Sequence, residues 1–284
     1  MGNAARIAPE PDFRQGYNRL AARDLDRRLC ESTPTIDGVV SRASLEMVPR
    51  ETQNWWRTAP IFRDVSNSEC EGILSSAARR EYANRRMIVR EGDEGGEVLV
   101  MASGRAKISQ ISHTGDEVIL RVKRAGDVLG GLGMSPSETH SSTIRTLGPC
   151  TVLSWRTEDF NRLCSQSPAL QRNALQIMHD VLQALQNCFC EMATLKVSSR
   201  LARTLLRLAE HDSSAGRDVR ITFTYEELGQ MAGTTLFSVS RLLSKWTELG
   251  LLYTENRGIV IEDVDRLLAI ADEGPGSASQ MSIR

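Results

Sequence analysis

Residues 222–252, T-F-T-Y-E-E-L-G-Q-M-A-G-T-T-L-F-S-V-S-R-L-L-S-K-W-T-E-L-G-L-L, leave few options for the local fold. Thr224 is placed to cap a short helix whose apolar side holds Leu228 and Met231. Gly233 falls where the chain must turn sharply, a position that favours positive φ. A second helix opens at Thr234 or Thr235 and buries Val239, Leu242, Leu243 and Trp246. Its other face carries Phe237, Ser238, Ser240, Arg241, Ser244 and Lys245, which suits a helix lying in the major groove of a duplex. The alternative is an ordinary helix pair in an all-α core, and the sequence that follows argues against it. Gly250 ends the second helix. Leu251-Leu252-Tyr253-Thr254 reads as a strand, 255–258 as a tight turn and Ile259-Val260-Ile261 as the return strand. Helix, turn, helix and hairpin make a winged helix. A last helix covers 263–271, and the Gly/Ser-rich tail 274–284 is expected to be loose.

A chain of 284 residues holds about two domains plus extensions. No apolar run nears the ~18 residues of a membrane span, and the N-terminus lacks a signal-peptide core. A cytoplasmic protein with no membrane partner is therefore expected. The net charge of -1 speaks against a tight non-specific coat on nucleic acid. A local basic face from Arg200, Arg203, Arg207, Arg241, Lys245 and Arg257, diluted by Glu226, Glu227 and Glu248, fits site-specific binding by a dimer better. The six cysteines (Cys30, Cys70, Cys150, Cys164, Cys188, Cys190) show no C-x-x-C spacing. They read as reduced thiols, not as a zinc site. Cys188 and Cys190, two apart on a helix, point to different faces.

Residues 1–50 are rich in Arg, Pro and small polar groups and read as a disordered extension, with Met47 an alternative start. Residues 66–78 predict a short helix with Ser66 as N-cap and Glu69 at the capping-box position. Residues 51–166 otherwise carry short β runs at Met87-Ile88-Val89, 97–101, 107–112, 118–122, Ile144 and 152–155, punctuated by glycine turns. This spacing predicts a small antiparallel barrel or roll.

Ser167-Pro168 opens a long helix over 167–196. Leu175, Met178, Leu182, Leu185, Phe189 and Met192 recur at spacings of three and four, with Gln176, Asp180, Gln183 and Gln186 between them. That stripe reads as a parallel dimer interface; packing within one domain is the alternative. The fold class is α+β: an N-terminal antiparallel β-roll, a long dimerisation helix and a winged helix over 197–272, ending in a tail over 273–284.

This order resembles the cyclic-AMP receptor / fumarate-nitrate regulator superfamily of bacterial transcription factors. The likeness runs from about Trp55 to Ile261. It rests on Gly104, Gly126-Asp127 and Gly130, on V-S-S-R-L-A-R-T-L-L-R-L-A at 197–209, and on E-L-G-Q-M-A-G at 227–233. The resemblance implies an effector pocket in the roll at Gly130, Gly131, His140, Ser141 and Leu185. Cyclic-AMP binders of the family have Gly-Glu and Arg-Ser pairs in that pocket, and a hydroxyl on the helix. This chain has Gly130-Gly131, His140-Ser141 and Leu185, so the ribose carboxylate and the phosphate guanidinium are both missing. Iron–sulfur members need a cysteine cluster near the N-terminus, where only Cys30 stands. Haem would have to use His113 in a turn or His140 in a loop, and turn histidines are usually solvated. None of cyclic AMP, haem or an iron–sulfur cluster is expected, which leaves an apolar or unusual small-molecule effector, or none; a cyclic-nucleotide- or haem-responsive regulator of the same family is the alternative.

By the same resemblance, Thr224, Thr235 and Lys245, with Tyr225, touch phosphates, and Leu236, Phe237, Ser240 and Arg241 face the groove. Arg241 is placed to read guanine O6 and N7. The family's usual glutamate, which accepts from a cytosine amino group, is Phe237 here. Phe cannot accept that bond but packs on a thymine methyl, so the half-site should differ from TGTGA or TTGAT; folding back onto the protein is the other option for this ring. The exposed loop 211–217 lies where relatives touch RNA polymerase. The expectation is a homodimeric regulator of transcription acting on double-stranded DNA. An enzyme or a non-DNA signalling subunit is the competing class, and no Ser/His/Asp arrangement, Gly-Lys-Ser loop or paired carboxylates support it.

Overall fold

The computed structural model describes residues 55–130, 132, 139–212, 220–255 and 258–273, all within one compact unit, Met47–Arg284. The extension 1–50, Met47, Gly131, most of the loop 211–217, Arg257 and the tail 274–284 lie outside the described residues.

Two 3-10 turns, Trp55–Arg57 and Pro60–Phe62, lead into helix α1 (Asn67–Ser75). The Ser66 hydroxyl accepts from the Glu69 amide while the Glu69 carboxylate accepts from the Ser66 amide, the reciprocal pair implied by the S-x-x-E spacing. The helix was expected to reach residue 78, but Ala78 already begins β1 (Ala78–Tyr82). That strand exposes most of its residues and therefore carries no alternating signal.

Seven more strands follow: β2 (Met87–Val89), β3 (Glu97–Ser103), β4 (Arg105–Ile111), β5 (Glu117–Arg124), β6 (Val128–Leu129), β7 (Thr143–Thr146) and β8 (Cys150–Arg156). They form two antiparallel sheets, β1-β8-β3-β6 and β2-β7-β4-β5. Strand β3 is buried on both faces, which is why its apolar run is continuous. Leu99 and Met101 point into the roll against Ile108, Leu129 and Ile144. Val98 and Val100 point outward against Trp155, Phe160 and Leu170. At the β3–β4 turn, Gly104 has φ 86°, and a Cβ there would run into the Pro149 carbonyl. Only glycine fits this approach.

Helices α2 (Thr157–Gln166) and α3 (Pro168–Thr194) cover the outer face of the first sheet. Leu170 and Ala174 anchor the start of α3, and the Asn173 amide donates to the Ile61 and Arg63 carbonyls at 3.0 and 2.6 Å. The chain breaks at Leu195 into α4 (Val197–Asp212), then β9 (Arg220–Ile221), α5 (Tyr225–Ala232), α6 (Leu236–Glu248), the hairpin β10 (Leu252–Glu255) and β11 (Gly258–Ile261), and α7 (Val264–Asp272). Leu201, Leu205, Leu228, Val239, Leu243, Trp246 and Leu267 form their shared core. Strand β9 joins the wing as a third strand through β11, and its two residues are too short to show a period. No helix among the described residues is long and apolar enough to cross a membrane.

Candidate nucleic-acid interface

The Thr224 hydroxyl accepts from the Glu227 amide at 3.1 Å, and the Glu227 carboxylate accepts from the Thr224 amide at 2.9 Å, closing a capping box on α5. Gly233 ends that helix in the left-handed region, φ 60° and ψ 50°. Thr235 then caps α6 by accepting from the Ser238 amide at 3.3 Å. Gly229 lets the two helices meet, since a Cβ there would lie 2.7 Å from the Thr234 carbonyl oxygen.

Helix α6 is divided by burial. Val239, Leu243 and Trp246 are buried, and Leu242 is partly buried against the same core. On the other side Leu236 is 43% exposed and Phe237 77% exposed. Arg241 and Lys245 are exposed as well, and Ser240 is half-buried between the two faces. The Phe237 ring stands in solvent; it does not fold back. Thr224 and Thr235 sit at the two helix starts with their hydroxyls committed to capping, and Tyr225 is half-buried against the core.

Three of the expected basic residues are elsewhere. Arg200 donates from Nε to the Ala232 carbonyl at 2.9 Å, from one terminal nitrogen to Leu195 at 2.8 Å and from the other to Gly233 at 3.1 Å. Arg203 donates to the Ala271 carbonyl and reaches Glu191 and Asp272. Arg207 donates to Glu191 at 3.0 Å. A guanidinium fork satisfies orphan carbonyls at helix ends, the role Arg200 and Arg203 take here, while Arg207 is held by the Glu191 carboxylate and the Thr204 hydroxyl. Their spacing alone could not separate these roles from a duplex-facing one.

The α3 stripe is exposed along its length: Leu175 55%, Met178 44%, Leu182 54%, Leu185 44%, Phe189 75% and Met192 46%. Met192 also caps the turn of the helix-turn-helix, where a Cβ on Gly233 would meet its Cε. Sequence periodicity could not show this second contact.

In the roll, Gly130 has φ 72°, and His140 Nδ1 lies 3.9 Å from the place of its missing Cβ, so these two expected pocket residues are neighbours. The Ser141 carbonyl accepts from the Gln110 amide at 2.7 Å. Leu185 stays on the exposed α3 stripe, and Gly131 is outside the described residues. The sequence reading missed two cations. Strand register puts Arg121 beside Ile108 and Lys123 beside Ala106, on the roll's inner face. Arg121 donates to the Val181 carbonyl of α3 at 2.6 Å. Burial pulls Lys123 below the usual lysine range; Asp127 partly offsets this and Arg121 adds to it. A cavity of about 180 Å³ lies apart from these groups, lined by Leu132, Phe160, Cys164 and Ala174 among others. Burial pushes the Cys164 thiol up.

The roll and the winged helix also touch directly. Arg105 donates to the Thr222 hydroxyl at 3.2 Å and lies over the Phe223 ring at 5.9 Å, while Val122 and Leu147 pack on the winged-helix core.

An antiparallel roll, a long exposed helix and a winged helix define a two-part class of protein, one part a β-roll and the other a helix-turn-helix fold. The family model of the cyclic nucleotide-binding domain matches residues 79–167, and that of the Crp-like helix-turn-helix domain matches 199–270. The chain belongs to the cyclic-AMP receptor / fumarate-nitrate regulator superfamily of transcription regulators. It is 23% identical over 212 residues, 74% of this chain and 95% of the relative, to the CRP-like cAMP-activated global transcriptional regulator of Mycobacterium tuberculosis. It is 27% identical over 187 residues, 65% of this chain and 74% of the relative, to the fumarate and nitrate reduction regulatory protein of Salmonella typhimurium. The structure of FixK2 from Bradyrhizobium japonicum superimposes with a TM-score of 0.62 at 19% identity, covering 68% of this chain and 96% of that one, a likeness of fold.

Proposed function

We propose that the chain is a cytoplasmic, homodimeric regulator that binds specific DNA sites through α6 and pairs along α3. The observation that carries this reading is the outward face of α6. Leu236, Phe237, Arg241 and Lys245 stand exposed there, and neither cation has a hydrogen-bond or ion-pair partner among the described residues. Arg241 reads a guanine edge, Ser240 borders it, and Thr224, Thr235 and Lys245 lie toward the phosphates. The six apolar side chains of α3 supply the pairing surface, because an apolar stripe of that length and exposure is stabilised by burial against a second copy.

The roll is proposed as the sensor, biasing two arrangements of the winged helices through Arg105, Val122 and Leu147 and through Glu191 and Met192 at the end of α3. One relative is cAMP-activated by name. Here Gly131 replaces the ribose carboxylate and His140 the phosphate guanidinium, so cyclic AMP is not assigned as the effector, nor are haem or an iron–sulfur cluster. RNA polymerase is the proposed partner on DNA. Arg241→Ala tests the reading: it should abolish sequence preference in a footprint on a selected duplex while leaving dimerisation intact. An unchanged footprint refutes the assignment.

A further inference from the structure

The first turn of α6 contains no acidic residue, and its two most prominent side chains, Leu236 and Phe237, are large, apolar and exposed. A surface of this kind cannot accept a hydrogen bond from a cytosine amino group. What it can bury in a major groove is the one apolar group that a base edge offers there, the C5-methyl of thymine. Ser238 and Thr235, the adjacent hydroxyls, are tied to each other as the helix cap and leave the ring and the leucine as the reading groups. Arg241 follows Phe237 by four residues, one helical turn, so both project from one side of the helix. A rise of about 1.5 Å per residue separates them by ~6 Å, close to two base steps of ~3.4 Å.

We infer that Leu236 and Phe237 make the operator half-site methyl-dependent: it requires thymine, or a cytosine carrying a C5-methyl group, within about two base pairs of the guanine read by Arg241. The inference rests on the proposed DNA-binding function and adds the chemical group that is recognised. It also makes the regulator responsive to cytosine C5-methylation, with methylation strengthening binding at that position.

The test uses the full chain and the duplex it enriches most from a random-sequence pool. Each thymine of a half-site is replaced singly by deoxyuridine, which deletes only the methyl group. Wild-type affinity should fall about fourfold at one or two positions, the effect of exposing one methyl-sized group. Cytosine there should bind more weakly than 5-methylcytosine. Leu236→Ala and Phe237→Ala, at exposed helical sites, should each lose the difference between thymine and uracil at the position that side chain reads, and Phe237→Glu should shift the preference at its position to unmethylated cytosine. Equal binding of thymine and uracil duplexes by wild type at every position overturns the methyl inference and leaves DNA recognition standing. Sensitivity that survives in both Leu236→Ala and Phe237→Ala overturns it as well. Enrichment of no duplex removes both.

Discussion

The guanidinium of Arg200 donates to the carbonyl of Gly233 at 3.1 Å, joining the start of α4 to the turn between the two helices of the DNA-binding motif. The same side chain holds the Leu195 carbonyl, where α3 ends. One residue thus connects the end of the pairing helix with the turn that aims α6. Charge-assisted hydrogen bonds of this kind are worth about 1.5–3 kcal/mol where they replace unsatisfied carbonyls. Arg200→Ala should destabilise the winged helix by about 2–3 kcal/mol. Arg200→Lys, which keeps the charge but loses the fork, should fall between the two. Thermal unfolding of the three proteins checks the order, and an Ala variant as stable as wild type contradicts it.

Gly233 carries a second constraint. Its left-handed conformation would cost an L-residue about 1–2 kcal/mol, and a new Cβ would also strike Met192. Met192 meets the turn only with the far end of a flexible side chain, which can move aside, so Gly233→Ala should destabilise by about that backbone term. Thermal unfolding checks this, and adding Met192→Ala should leave the cost of the glycine substitution nearly unchanged. A coupling of about 1 kcal/mol or more in the double-mutant cycle would mean that Met192 is held rigidly against the turn.

Lys123 offers a test of the roll interior. Its folded-state value is lowered, so between that value and about 10.5 the unfolded chain holds more protons than the folded one. Stability should rise with pH across that window and reach its plateau above it. Lys123→Met should flatten the rise and be the more stable protein at neutral pH. Parallel denaturant curves at pH 8 and pH 10 show whether the slopes differ; identical slopes would mean that the ammonium group is fully solvated.

Much of this architecture is legible in the sequence because single residues fix it. The Thr224–Glu227 capping box, the positive φ at Gly233 and Pro168 at the first turn of α3 each have one local solution. The losses are where local pattern carries no information. Strand β1 is exposed on both sides, so A-R-R-E-Y has no period to read. Arg200, Arg203 and Arg207 share the composition of a DNA-facing patch, and only the third dimension shows their guanidinium groups on carbonyls and on Glu191. Arg121 and Lys123 look like ordinary surface cations until the register with Ile108 and Ala106 turns them inward.

Leu182 lies midway along the α3 stripe and is 54% exposed. Leu182→Glu would place a charge, and on pairing two like charges, at the centre of the proposed interface. The variant should be monomeric at micromolar concentration with an unchanged unfolding temperature for its winged helix. Its affinity for a two-half-site duplex should fall at least tenfold. A dimer that survives this change would move the interface elsewhere.

Sedimentation of the full chain, alone and with a selected duplex, tests the pairing and the DNA recognition together. The expected result is a dimer in free solution and a complex of two chains per duplex on half-sites about 10 base pairs apart. A monomer at micromolar concentration, or one chain per duplex with no second half-site, would contradict the proposal that α3 presents two α6 helices to one face of DNA.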